Sequence, residues 1–131
     1  MVDALLAARG ALKPGGAVID LRPDAHRAPR VLGRGRVVGM LVTRADSAGD
    51  DASADAAVDT VVAQGHYRDL AAGHFWYQVR FADLTELDDY LSTSPRFAGL
   101  SPGTRRRVVR REPIVIRRAI QYRILERSTR A

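Results

Sequence analysis

The sequence predicts an α+β fold, with a mixed, mainly antiparallel four-stranded sheet and helices packed against it. Segments rich in Ala and Leu, which favour helices, alternate with runs rich in Val and Ile, which favour strands. Two of those runs, residues 74–81 and 114–125, alternate their side chains with the period of two that is typical of a strand. The length of 131 residues fits one domain, and we expect residues 128–131 to form a loose tail.

The first third of the chain is predicted to contain one helix and two strands. Residues 2–12 are rich in Ala and Leu and run into a proline and two glycines, which end a helix. Residues 17–21 form a buried strand that Pro23 closes, because proline has no N–H to donate to a sheet. A loop at residues 24–30 follows. Residues 36–44 predict a second strand, with a turn before it and a bulge within it at the glycines.

The middle of the chain is predicted to contain an acidic loop, a helix and an extended region. The loop covers residues 46–51. Residues 53–64 are rich in Ala and Val and end before Gly65, which is typical of a helix and its C-terminal cap. Acidic side chains near the start of this helix favour the positive end of its dipole, so they have a structural use. Residues 67–81 predict one or two strand segments around Gly73.

The last third is predicted to contain two short helices and a long strand. Asp83 and Glu86 have the spacing of a capping box, and regularly spaced leucines follow them. A Ser-Pro start predicts an arginine-rich helix over residues 101–111. Pro113 then opens the long strand. The predicted order of elements is therefore α-β-β-α-β-α-α-β.

The two alternating strands each predict a pair of distinct faces. In the first strand, the apolar face is Phe75, Tyr77, Val79 and Phe81, and the opposite face is His74, Trp76, Gln78 and Arg80. In the second strand, the apolar face is Ile114, Ile116, Ile120, Tyr122 and Ile124, interrupted by Arg118, and the opposite face is Val115, Arg117, Gln121 and Arg123.

Composition narrows the classes of function. Apolar residues make up 46% of the chain and charged residues 27%, as in ordinary globular proteins. With no cysteine there is no disulfide or thiolate chemistry, and the three histidines lack the spacing of a metal site, so we expect no bound metal. No long apolar run or signal sequence is present, so we expect no membrane association and a cytoplasmic location.

Residues 5–20 carry a family resemblance. Their sequence is Leu-Leu-Ala-Ala-Arg-Gly-Ala-Leu-Lys-Pro-Gly-Gly-Ala-Val-Ile-Asp. It resembles the middle of class I S-adenosylmethionine-dependent methyltransferases, in which a helix ending in Leu-Lys-Pro-Gly-Gly leads into the fifth strand of a doubly wound sheet. The later order of helix, strand, helical insertion and final strand is also similar, with the last two strands pairing antiparallel. The resemblance implies the C-terminal half of such a domain.

The resemblance does not extend to the cofactor site. In that family, the glycine-rich turn that cradles the cofactor and the acid that holds its ribose lie on the first two strands, and no position here matches them. The predicted strand at residues 36–44 is a further departure, because a helix normally follows there. We therefore expect no cofactor. Half of such a sheet leaves an open edge and a bare apolar face, which predicts a homodimer or pairing with a methyltransferase-like partner chain.

One candidate ligand site lies on the strand face opposite the aromatic stripe. Its members are His74, Trp76, Gln78 and Arg80, which combine a flat apolar ring with a titratable group and a fixed cation. In the alternative interpretation, Trp76 belongs to the core and Arg80 pairs with an aspartate. Asp20 is a further candidate, because ligands of open α/β sheets bind at the carboxyl ends of strands. Its alternative role is to cap a loop beside Arg22.

A second candidate site is a basic patch in the C-terminal part of the chain. The formal net charge is +6, and residues 101–131 contain ten arginines and two glutamates. The predicted patch is Arg105, Arg106, Arg107, Arg110 and Arg111, which could contact phosphates. No aromatic residues interleave them and no nucleic-acid motif surrounds them, so the alternative is a solvated helix face.

Three classes of function follow from these observations, and the sequence does not decide whether the chain is an enzyme. The first is a non-catalytic interaction or accessory subunit built on a methyltransferase-like half-domain. The second is a small-molecule-binding protein or enzyme that uses the face of His74, Trp76 and Arg80. The third is an arginine-dependent nucleic-acid binder.

Overall fold

The computed structural model describes residues 1–129, and this part of the chain contains four helices and six strands. The helices are α1 (Val2–Ala11), α2 (Ala45–Ala63), α3 (Leu84–Thr93) and α4 (Thr104–Val108). The strands are β1 (Ala17–Pro23), β2 (Arg30–Gly33), β3 (Arg36–Thr43), β4 (Tyr67–Phe81), β5 (Phe97–Leu100) and β6 (Ile114–Arg127). Within the described residues, no helix combines the length and the apolar character that a membrane crossing requires.

The last strand, β6, is the centre of the sheet. On one edge it pairs with β4 along its whole length. On the other edge it pairs with β1 through residues 120–126 and with β2 through residues 114–117. The sheet continues from β2 to β3 and from β3 to β5, and all these pairings are antiparallel. The α+β class is therefore confirmed, but the four-stranded mixed sheet is wrong, because the sheet has six antiparallel strands.

The two strands that the sequence did not predict are the shortest. Both β2 and β5 have four residues, which is too short for alternation to distinguish a strand from a loop. In addition, β2 follows a proline, and β5 contains Gly99 with a φ of 148°, so turn residues conceal both strands. Tertiary pairing with neighbouring strands makes them extended.

Other boundaries also differ from the prediction. Helix α2 begins at Ala45, so the predicted acidic loop at residues 46–51 is helical. Its Asp51 accepts hydrogen bonds of 3.0 and 2.7 Å from Arg96, which ties this weak helical sequence to the start of β5. Helix α4 ends at Val108, well before the predicted residue 111, and Arg110 then adopts a left-handed φ of 62°.

Strand β4 is continuous through Gly73, and its irregularity lies at Leu70. The register shifts between Asp69 and Ala71, so Leu70 is the extra residue of a bulge. Beyond the bulge, Phe75 lies opposite Ile120 and His74 opposite Gln121, which confirms the two predicted faces of β4.

The larger core lies on the face of β6 that carries Ile114 and Ile116. Helices α3 and α4 cover it. Its buried members are Val31, Val38, Leu41, Phe81, Leu87, Phe97, Val108, Ile114 and Ile116. Helix α3 begins as predicted: the Asp83 carboxylate accepts a hydrogen bond of 2.9 Å from the Glu86 N–H. The Glu86 carboxylate accepts a hydrogen bond of 2.8 Å from the N–H of Ala82, the residue before the N-cap. The first turn is therefore held by one side-chain acceptor at each end.

The position of α4 depends on a close contact with β3. Thr104 is fully buried and lies directly over Gly39, where an added Cβ would be 1.8 Å from the Thr104 Oγ1. The Thr104 hydroxyl is 2.6 Å from that of Ser101, which in turn accepts a hydrogen bond of 3.0 Å from the Met40 N–H. The Nε of Arg107 donates to the Val38 carbonyl at 2.6 Å. Only glycine at position 39 permits this approach.

The smaller core lies on the opposite face of β6, at the other end of the strand. Helices α1 and α2 cover it. Its buried members are Leu5, Val58, Val61, Tyr67 and Leu125. The Tyr67 hydroxyl donates to the Leu5 carbonyl at 2.6 Å. Burial raises the pKa of Tyr67, against the opposing effect of Arg9 and Arg127, so the hydroxyl keeps its proton.

The C-terminal end of the described chain is attached to α1. The N–H of Ser128 donates to the His66 carbonyl at 3.2 Å, and Arg9 donates to the Ser128 carbonyl at 3.3 Å. The loose tail at residues 128–131 stays a prediction, because residues 130 and 131 lie outside the described residues.

A buried carboxylate organises the loop between β1 and β2. Asp24 is 5% exposed and accepts hydrogen bonds from the His26 N–H at 2.9 Å and from Arg27 at 2.7 Å. Burial favours the protonated acid, but these two groups outweigh burial and lower the pKa of Asp24. The loop is therefore held by a charged carboxylate.

We expect Gly39→Ala to lower the free energy of unfolding by about 3 kcal/mol, because the new methyl group overlaps buried Thr104. Gly49→Ala is the matched control. It lies within α2 with no atom within 4 Å of an added Cβ, so it should stabilise the protein by about 0.5 to 1 kcal/mol. Urea denaturation measures both. Equal midpoints for Gly39→Ala and the wild type would contradict the docking of α4 on β3.

We expect Asp24→Asn to lower the free energy of unfolding by about 1.5 kcal/mol at neutral pH. Because the folded pKa of Asp24 lies below its ordinary value, the stabilisation is complete above that value and disappears as the pH falls through the folded pKa. The gap between variant and wild type should therefore narrow as the pH falls below 3.8, the ordinary pKa of the carboxyl. Urea titrations at about pH 7 and about pH 3 measure it. If the difference in free energy of unfolding between the variant and the wild type is the same at both pH values, the charge of Asp24 does not contribute to stability.

Candidate functional site

The helices leave half of each face of the sheet uncovered. Helices α3 and α4 cover one face at the start of β6, whereas α1 and α2 cover the other face at its end. Each face is therefore bare along the remaining half of β6. These two bare regions have different chemistry, one apolar and the other cationic.

The apolar half-face lies at the C-terminal end of β6. Its members come from three adjacent strands and are Ile19, Leu21, Phe75, Ile120, Tyr122 and Ile124. Ile19 is 62% exposed, Leu21 57% and Phe75 46%. The Tyr122 ring lies over Gly73, where an added Cβ would be 2.7 Å from its hydroxyl oxygen. The result is a continuous apolar surface without a helix above it.

The cationic half-face contains a cluster of Trp76 and two arginines. Arg117 of the central strand β6 lies between Arg30 of β2 and Gln78 of β4. Each of these two residues is a direct cross-strand partner of Arg117. The guanidinium carbon of Arg30 is 4.8 Å from the centre of the Trp76 ring, and that of Arg117 is 5.9 Å from it. Both distances are typical of cation–π contacts. We name Arg30, Trp76, Gln78 and Arg117 the arginine–tryptophan cluster.

The charges of this cluster are not compensated within the described chain. Among residues 1–129, no carboxylate lies within 4 Å of Arg30 or Arg117, although arginines elsewhere in the fold do have such partners. The buried Nε of Arg117 has no hydrogen-bond acceptor in this part of the structure. Like charges directly opposite each other on a sheet destabilise it, and a buried donor without an acceptor costs about 1 to 3 kcal/mol. Within the described residues, the cluster is therefore a pair of cations without a carboxylate partner.

The other predicted members of this face lie beside the cluster. His74 is exposed and lies opposite Gln121, whose side chain donates to Asp55 of α2 at 3.2 Å. Arg80 lines a shallow cleft with Glu86 and Glu112. Of the four predicted residues, Trp76 and Gln78 therefore lie beside Arg30 and Arg117. His74 and Arg80 lie farther along β4, one toward each end of the strand.

Asp20 is part of an ion-pair network between β1 and α2. Its carboxylate accepts from the Nε of Arg22 at 2.9 Å, and the same guanidinium contacts Asp55 at 2.7 Å. The side chain of Asp20 is largely buried, at 11% exposure. Asp20 thus lies within β1 in an ion pair with Arg22, whereas the sequence offered ligand binding or the capping of a loop.

The predicted basic patch is divided by structural contacts. Arg105 forms a bidentate ion pair with Asp88 of α3, which lowers the pKa of Asp88. Arg107 donates to main-chain carbonyls. The other three, Arg106, Arg110 and Arg111, are exposed, and their side chains have neither an ion pair nor a hydrogen bond among residues 1–129. The patch therefore offers three separate cations and no aromatic surface.

The sequence did not predict the cations that contact Trp76. Arg30 was placed in a loop, since β2 was not predicted. Arg117 was assigned correctly to one face of the last strand, but nothing local to the sequence says that this strand lies beside β4. The contact of Trp76 with Arg30 and Arg117 depends on the β4–β6 and β2–β6 pairings, which join segments far apart in the sequence.

The chemistry of the cluster suits binding. Arginine and glutamine do not exchange protons near neutral pH, so neither serves as a general base. No protein family, curated protein or solved structure matches this chain.

We expect Arg117→Met to raise the free energy of unfolding by about 1 kcal/mol. The substitution removes a buried unpaired donor and a like-charge pair, which outweighs the lost cation–π contact. Arg96→Met is the contrasting variant, since it leaves partly buried Asp51 without its cation and should cost about 2 kcal/mol. Thermal and urea denaturation measure both. Destabilisation by Arg117→Met would show that Arg117 is retained for stability.

Proposed function

We propose that this protein is a non-catalytic interaction subunit that assembles through its apolar half-face. The observation that carries the proposal is the exposure of Ile19, Leu21 and Phe75 on neighbouring strands of one face. Contiguous apolar surface of this kind usually marks a protein–protein contact, because each Å² left in water costs about 25 cal/mol.

The occupant that fits this surface is a second copy of the chain. The half-face contains no charged side chain, so two copies can meet without repulsion between like charges. At one end of its rim, Arg68 and Glu126 pair with each other, so that end is locally neutral, and at the other end Arg118 is held by the Tyr90 hydroxyl of α3. A surface that is apolar and locally neutral is self-complementary, as a contact with two-fold symmetry requires.

The thickness of the neighbouring helices also favours sheet-on-sheet packing. Helices α3 and α4 occupy the other half of the same face, in a layer about 10 Å thick. Two packed sheets are separated by about 10 Å as well. A partner sheet placed on the apolar half-face therefore continues the helical layer.

The relationship to a methyltransferase half-domain is part of this proposal. Strand β1 follows the Leu-Lys-Pro-Gly-Gly turn, and β4 and β6 pair antiparallel, as the resemblance implied. The outer edge of β1 has no strand partner among the described residues, which is where a further strand would be added. These features support a role as a partner of other chains and give no support to catalysis.

We expect the wild type to sediment as a dimer at micromolar concentration and Leu21→Glu to sediment as a folded monomer. A buried carboxylate at the dimer contact has no partner and opposes association. Sedimentation velocity over a concentration series, with circular dichroism to verify folding, measures the effect.

Val37→Glu is the matched control. Val37 is 53% exposed on a strand of the same sheet but belongs to neither the apolar half-face nor a core cluster, so this variant should dimerise normally. A wild type that is monomeric at all concentrations, or a dimer that Leu21→Glu leaves intact, would overturn the proposal.

A further inference from the structure

We propose that the arginine–tryptophan cluster is a binding site for the phosphate group of a phosphorylated ligand. The cluster belongs to the opposite face from the apolar half-face, so this second activity is independent of the proposed assembly. Four observations support it: the alignment of the two arginines, their missing counter-ions, the use of nearby acids by other arginines, and the contact with Trp76.

The two guanidinium groups lie against the same indole ring. Arg30 and Arg117 are direct cross-strand neighbours, and both guanidinium carbons lie within 6 Å of the centre of one indole ring. Direct neighbours on a sheet have Cβ atoms about 5 Å apart, so one bound group reaches both side chains. The Nε of Arg117 is buried and has no acceptor among residues 1–129, so the fold does not satisfy this guanidinium with a partner of its own.

Two acids of α2, the helix that packs on this face of the sheet, already pair with other arginines. The Asp51 carboxylate accepts hydrogen bonds from both terminal nitrogens of Arg96, and the Asp55 carboxylate forms an ion pair with Arg22 at 2.7 Å. The fold therefore neutralises the arginines under α2 and leaves Arg30 and Arg117 without carboxylate partners among the described residues. An external anion would supply the missing charge.

Phosphate fits this arrangement better than a carboxylate does. A carboxylate has two oxygens, which a single guanidinium fork saturates. A terminal phosphate has three unesterified oxygens and carries close to two negative charges, so it can accept from both forks at once. Gln78, opposite Arg117, provides an amide N–H for the remaining oxygen.

Trp76 orders the two cations before the ligand binds. Cation–π contacts hold flexible arginine side chains in place, which reduces the entropy lost on binding. Trp76 is also the one tryptophan in the sequence, so its fluorescence reports directly on this site.

Titration of the full chain with tripolyphosphate, followed by tryptophan fluorescence, tests the proposal. We expect a saturable change in the wild type at about 50 mM salt, weakening as salt is raised. Arg30→Gln and Arg117→Met should each raise the Kd at least tenfold, as expected for a lost charge-assisted hydrogen bond. Arg30 is exposed, so Arg30→Gln keeps the test valid if the variant at position 117 misfolds.

Arg106→Gln is the matched control, because it removes the same charge from an exposed position on α4, which packs on the other face. It should change the Kd by less than about twofold. The absence of saturable binding up to about 1 mM would overturn the proposal. Equal weakening by Arg106→Gln would also overturn it, because it would indicate attraction by net charge alone.

Two further ligands define the chemistry. Citrate has a similar charge but only carboxylates, and binding as tight as that of tripolyphosphate would contradict the phosphate assignment. Single-stranded RNA of about eight nucleotides tests the source of the phosphate. Much tighter binding of RNA, weakened by Arg30→Gln, identifies a nucleic-acid strand, and equal or weaker binding identifies a small phosphorylated molecule. Both results support the site.

Discussion

The fold depends on the pairing of β6 with three other strands. This strand has 14 residues, and it supplies the pairing partner of β1, of β2 and of the 15-residue β4. A strand of that length spans more than 40 Å, at about 3.3 Å per residue, which exceeds the width of a helix pair. Two helices therefore cover only half of each face. Both bare surfaces follow from this mismatch of lengths.

The distribution of charge separates structural arginines from those available for binding. Arg22, Arg123 and Arg96, which precedes β5, join the sheet to α2 through aspartates, and Arg105 joins α4 to α3. These pairs use acids from helices that pack on the sheet. On the cationic half-face, where no helix packs, Arg30 and Arg117 have no such partner among the described residues, and the Trp76 ring supports them. The same absence of a helix thus exposes apolar side chains on one face and unpaired cations on the other.

The sequence predicted what depends on local pattern and missed what depends on neighbours. Both faces of β4 and β6 follow from alternation, which is a property of each strand alone. Residues 30–33 and 97–100 were missed because four residues carry too little pattern and turn residues surround them. Trp76 was named as a candidate because it lies on the face of its strand opposite the aromatic stripe. Its contacts with Arg30 and Arg117 depend on which strands are neighbours in the sheet, and the local sequence of one strand does not determine its neighbours.

The central position of β6 also constrains how the protein folds during synthesis. Of the six strands, β6 leaves the ribosome last, yet β1 and β4 pair with no other strand in the described chain. More than ninety residues separate the start of β1 from that of β6, and contacts between distant segments slow folding. Until β6 emerges, the nascent chain exposes a long strand with two free edges, a form prone to aggregation. The hairpin of β2 and β3, to which β5 adds later, is the part of the sheet that can form before β6 emerges, so it is the natural starting point for the rest.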